Sequence, residues 1–194
     1  MKNHITIILS MSMLASAFCA SDKTPYPFTN HYEAVYVDGG KHLLRIDGNH
    51  EGEFVVAEGT EQIGKYAFSR CREITSVIIP DSVTNIMERA FEYCSSLTNV
   101  VFGSGLREIG IRTFIGCEKI KQIDLPDSLE TIRHGAFLHT PSKITIGTGL
   151  RNVGLFAFGY YQTLTTNSVH KIISISPNNQ WLHVDGIQVV PIQQ

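Results

Sequence analysis

Cys71, Cys94 and Cys117 recur every 23 residues, and a regular triplet of thiols has two chemistries open to it. Neighbouring thiols could close a disulfide, or three together could hold a soft metal such as zinc. Three cannot all pair, however, and equivalent positions of a repeat point their side chains the same way. The spacing favours a column of small buried hydrophobes, with one adjacent disulfide as the alternative that an oxidising compartment permits. The eight histidines are scattered. Neither His134 with His139 nor His42 with His50 has a zinc-site spacing, so exposed loop imidazoles are expected. No G-x-S-x-G, phosphate-cradling glycine loop or H-E-x-x-H is present, and carboxylates such as Asp81 and Glu88 fall in turn and surface slots. The sequence therefore predicts a protein that is not an enzyme, with no catalytic residues, cofactor or metal.

Composition narrows the partners. In 194 residues, 43% are hydrophobic and 18% charged, an ordinary balance for one folded domain. The formal charge is −2, without a run of one sign, so the basic footprint of a nucleic-acid binder is missing. A polyanion partner is not expected.

What positions the thiols is a repeat, which is sought before local structure because a fixed period of this size signals a solenoid. Phe68, Phe91, Phe114 and Phe137 share the 23-residue step, and Phe158 follows after 21. The units run 52–74, 75–97, 98–120 and 121 onward, and a fifth begins near Ser142. In the second unit Val77 and Ile79 alternate as a strand face, whereas Val83, Ile86, Phe91 and Cys94 recur at wider intervals. The third supplies Val100, Phe102, Leu106 and Ile109, and the fourth Ile123, Leu125, Leu129 and Ile132. One coil alone buries none of these side chains; stacked coils place each beneath its own copy, about 4.8 Å away. Pro80-Asp81-Ser82 and Pro126-Asp127-Ser128 end strands, since proline removes a ladder donor and Asp and Ser favour turns.

The pattern IxIPDSVxxIxxxAFxxC, seen as Val77-Ile78-Ile79-Pro80-Asp81-Ser82-Val83 through Ala90-Phe91-Glu92-Tyr93-Cys94, resembles the BspA-like leucine-rich-repeat family. The resemblance covers about residues 52–164. Thr60 in an aliphatic slot, Gly103 and Gly147 in place of the proline, and Thr113 in place of alanine depart from it. It implies a mostly β repeat solenoid: a right-handed coil with one short parallel strand per repeat, short turns or helical turns between, and hairpin-like caps. It also implies a secreted or cell-surface protein that mediates protein–protein interaction or adhesion to host or matrix macromolecules. A structural or accessory subunit of an envelope assembly is the alternative.

The flanks complete the organisation. Residues 1–20, with Lys2 before an apolar stretch from Ile5 to Phe18, predict a signal peptide cut after Ala17 or Ala20. The stretch is too short to span a membrane of about 30 Å, so no transmembrane segment is expected in the mature chain. Lipid anchoring through Cys19 is the less favoured reading, because Phe18 stands where a lipoprotein signal has a small residue. Residues 21–51 form an N-terminal cap, with strands around Asp38-Gly39-Gly40; residues 52–164 form five repeats; residues 165–194 form a C-terminal cap in which His183 to Val190 begins a similar unit. Finally, the strand positions alternating with the buried ones read Val55, Ile78, Val101, Asp124 and Thr145, beside a polar column of Glu53, Ser76, Asn99, Gln122 and Lys143. In a solenoid each column is a continuous strip, and an exposed apolar strip is a candidate protein-binding surface.

Overall fold

The computed structural model describes residues 6–9, 33–47, 50–140, 143–159, 163–166, 172–175 and 182–184. Each 23-residue unit makes one coil, and each coil contributes to two parallel ladders. The longer strands are β4 (Gly52–Val55), β6 (Ile74–Ile78), β8 (Asn99–Val101), β10 (Gln122–Asp124), β12 (Lys143–Ile146) and β14 (Thr163–Thr166). Two-residue strands lie on the opposite side of the coil: β5 (Gln62–Ile63), β7 (Asn85–Ile86), β9 (Glu108–Ile109), β11 (Thr131–Ile132) and β13 (Asn152–Val153). The second ladder corrects the expectation of one strand per repeat. Two residues are too few for an alternating pattern to register in sequence, yet stacking sets their backbones in parallel register, as Gln62↔Asn85 and Asn85↔Glu108.

Between the ladders lies the core. Phe68, Phe91, Phe114 and Phe137 are fully buried and Phe158 nearly so. Their rings stack with centroid separations of 4.5, 5.0, 5.3 and 6.1 Å along the chain. Burying each ring is worth about 1.5–3 kcal/mol, and each shares that burial with both neighbours. The departures from the repeat pattern have local causes. Thr60 and Thr113 are buried but satisfied, their hydroxyls donating to the carbonyls of Ala57 at 2.7 Å and Gly110 at 2.8 Å. Gly103 and Gly147 lie so close to Pro80 and Pro126 of the preceding coil that a Cβ at either would collide with that proline's carbonyl. The following backbone amides, of Ser104 and Thr148, donate to Asp81 Oδ1 at 2.6 Å and Asp127 Oδ1 at 2.8 Å. Coils two and three, and coils four and five, are thereby closely joined pairs.

At the N-terminal end β2 (Glu33–Val37) and β3 (His42–Asp47) pair antiparallel around the 3-10 turn Asp38–Gly40. β3 then runs parallel to β5, so the hairpin continues the short-strand ladder. Thr6–Leu9 forms β1, antiparallel to β2; both cleavage points considered above and Cys19 lie outside the described residues. Further on, β15 (Ile172–Ile175) pairs antiparallel with β16 (Leu182–Val184), and residues 185–190 lie outside the described part. Among the described residues no helix is long and apolar enough to cross a membrane.

The candidate interaction faces

The outward column begins at Val55. Ladder register places Val55 beside Ile78 and Ile78 beside Val101; Val55 and Val101 are 59% and 47% exposed, and Ile78 is half-buried. In the adjoining column Asn99 Nδ2 donates to Ser76 Oγ at 3.2 Å, giving the apolar strip a polar border.

Continuity of the strip fails after Val101. The long ladder divides into β4-β6-β8 and β10-β12-β14, with no pairing between β8 and β10. In the first coils Val56 N–H donates to Ile78 O at 3.0 Å and Ile79 N–H to Val101 O at 2.9 Å; the matching bond from Phe102 to Asp124 is missing among the described residues. The cause is size. The slot that ends each long strand holds buried Val56, Ile79, Leu125 and Ile146, but in the third coil it holds Phe102, which is only half-buried and packs edge-on against Phe114 at 6.0 Å. Asp124 and Thr145 thus belong to a second sheet, and Gln122 Nε2 donates to both Asp124 carboxylate oxygens, at 3.2 and 3.0 Å. The apolar strip comprises three coils; beyond the seam the surface is polar.

The thiols form a column of hydrogen-bond donors. Cys94 Sγ donates to Phe68 O and Cys117 Sγ to Phe91 O, each at 3.0 Å, and in the fourth coil the Thr140 hydroxyl donates to Phe114 O. Cys71, Cys94 and Cys117 are all free, the last two buried and Cys71 half-buried. Burial pushes the Cys71 thiol up to about 12, and the neighbouring Cys94 thiolate would add repulsion. Cys94 is also raised, by the neighbouring Cys117 thiol and then by burial. Cys71 and Cys94 are thus protonated, unreactive thiols at neutral pH. Among the described residues no three His, Cys, Asp or Glu side chains are grouped to hold a metal ion.

His50 corrects the expectation of exposed imidazoles. It is buried against the edge of Phe54, with ring centroids 5.1 Å apart, and its Nε2 lies 2.7 Å from Glu53 O. A second exposed face, at the corners of the coils, includes Tyr66 and Tyr93. Reading only alternate strand positions passes it over; the signal available in sequence is that equivalent corner positions hold glycine in some coils and bulky residues in others.

The BspA-type leucine-rich repeat region model matches residues 53–180 in six copies. Among solved structures, a leucine-rich cell-surface protein from Faecalibacterium prausnitzii aligns at 26% identity and TM-score 0.62, covering 74% of this chain and 40% of that one. A leucine-rich repeat protein from Bacteroides ovatus aligns at 29% identity and TM-score 0.52, covering 77% and 43%. The pneumococcal vaccine antigen PcpA shares the fold at 15% identity and TM-score 0.54, covering 70% and 36%. The chain spans roughly two-fifths of the length of these structures. No curated protein matches it.

Proposed function

Because the chain belongs to the BspA-type leucine-rich repeat family, we propose that it is a non-enzymatic protein-binding scaffold, secreted or held at the cell surface, that attaches to a host or matrix macromolecule. The observation carrying this reading is the exposed strip of Val55, Ile78 and Val101 on one rigid ladder. β-branched residues suit strands wherever they occur, but two of these side chains are about half or more in solvent, where apolar surface is stabilised by a partner that covers it. A stable contact takes about 800 Å² per partner. Three side chains are the apolar centre of such a contact, with Ser76 and Asn99 at its polar margin.

Replacing Val55, Ile78 and Val101 together by Ser removes the apolar surface and leaves the inward-facing Phe54, Val77 and Val100 untouched. Capture of protein from matrix or cell-surface extract should fall to background, with an unchanged circular dichroism spectrum. Undiminished capture by the folded variant would overturn the strip.

A further inference from the structure

At the corners that follow the short strands, two columns of residues adopt the left-handed backbone conformation. The first holds Tyr66, Arg89, Arg112, Gly135 and Phe156, with φ of 60°, 54°, 52°, 61° and 54°; the second holds Arg70, Tyr93, Gly116 and His139, with φ of 62°, 55°, 73° and 58°. This conformation suits glycine and strains bulky side chains. Gly135 and Gly116 adopt it within the same columns, so the turn itself makes no demand for Tyr or Arg. Strained bulky residues where glycine also fits point to a role for the side chains.

Those side chains are displayed outward. Tyr66 and Tyr93 are 44% and 47% exposed. The Arg89 guanidinium carbon lies 5.8 Å from the Tyr66 ring centroid, and its Nη1 donates to Tyr66 Oη at 3.1 Å. The Tyr93 ring covers Gly116, where a Cβ would collide with it, and the Arg112 stem passes over Gly135.

Charge on this face is unbalanced. Glu88 pairs with Lys65 at 3.4 Å and Arg89 at 3.7 Å, and Glu92 with Arg89 at 3.8 Å. Arg70 and Arg112 have no acidic partner among the described residues, and Arg112 Nε is a buried donor without a hydrogen bond, although the whole chain carries a charge of −2.

We propose that Tyr66, Arg70, Arg89, Tyr93 and Arg112 form a second docking site, which takes an acidic peptide segment of a partner protein. Arg70 and Arg112 receive spaced carboxylates through their planar forks, while the two tyrosines supply rigid contact area, a residue pairing typical of interface hot spots. Glu88 and Glu92 lie among the cations and repel a densely charged polyanion, which is why a peptide with spaced carboxylates fits better than a sulfated glycan.

The test uses the full chain and its combined Arg70→Gly, Tyr93→Gly, Arg112→Gly variant, glycine being the residue these columns already accept. A short fluorescent peptide rich in Glu is titrated by anisotropy against its Gln counterpart, with heparin in a parallel titration. The Glu peptide should bind saturably and lose affinity with salt. The variant should bind it at least about tenfold more weakly, with a thermal midpoint that is unchanged or raised. Equal binding of the Gln peptide, equal binding by the variant, binding of heparin alone, or a lowered midpoint in the variant would each overturn the proposal.

Discussion

The thiol column shows how one bond can be made by two side chains. Cys94, Cys117 and Thr140 occupy equivalent positions and donate to the phenylalanine carbonyl of the preceding coil. Replacing Cys117 by Thr should therefore leave stability nearly unchanged. Cys117→Val, which keeps the branched volume but has no donor, should cost about 0.5–1.5 kcal/mol, read from the denaturation midpoint. The cost belongs at the lower end, because Phe91 O also accepts the Cys94 N–H at 3.3 Å and is not left unsatisfied. The thiols also set a pH response. Folding pushes the Cys71 pKa up to about 12, whereas an unfolded thiol ionises near 8.5. The unfolded chain then loses its proton first, so the contribution to stability is intact below about pH 8.5 and is lost as pH rises toward 12. Cys94, raised by the neighbouring Cys117 thiol and by burial, acts in the same direction. Thermal melts should show a falling midpoint above pH 9, and the fall should be smaller in Cys71→Ser. A midpoint independent of pH over that window would contradict the assignment.

Among elements, the interrupted ladder carries the most information. Val100, next to the gap, is 7% exposed while its copies Val77 and Ile123 are 0% and 1% exposed, so the coils are slightly parted where Phe102 stands. Phe102→Ile restores the residue size found in the other coils and should close the ladder between β8 and β10. Amide hydrogen exchange at Phe102 should slow at least severalfold, since a ladder bond replaces an unpaired N–H. Unchanged exchange would mean that something other than ring size holds the coils apart. None of this was legible in the sequence, where Phe102 passes as one more apolar residue in an aliphatic slot. The left-handed corners were equally hidden: Tyr66, Arg89 and Tyr93 carry no compositional mark of positive φ, and only their alignment with Gly116 and Gly135 gives a hint.

For the whole molecule, the register of Phe68, Phe91, Phe114 and Phe137 made the solenoid legible, because a stack buries a side chain only beneath its own copy and so imposes an identical step in sequence. Faces that stacking does not constrain are read less well. The period places Val55, Ile78 and Val101 side by side on one ladder, but the division after Val101 depends on a gap that a period cannot express. Each coil contacts only its neighbours, so stability is a sum over coils and interfaces. The interface between coils three and four, lacking the long-strand ladder, is held by the Phe114–Phe137 stack at 5.3 Å and by the corner bonds Arg112 N–H to His134 O and Phe114 N–H to Ala136 O. The short-strand ladder through β9 and β11 also holds it, with the Arg107–Glu130 and Arg133–Glu108 contacts at 3.2 and 2.8 Å beside it. Binding at the strip should accordingly be confined to the first three coils.

Hydrogen exchange of the chain alone and in complex with a captured partner tests that claim most directly. Added protection is expected over residues 52–55, 74–78 and 99–101, ending before residue 122. Protection absent from those three strands, or running evenly through Gln122–Asp124 and Lys143–Ile146, would contradict it.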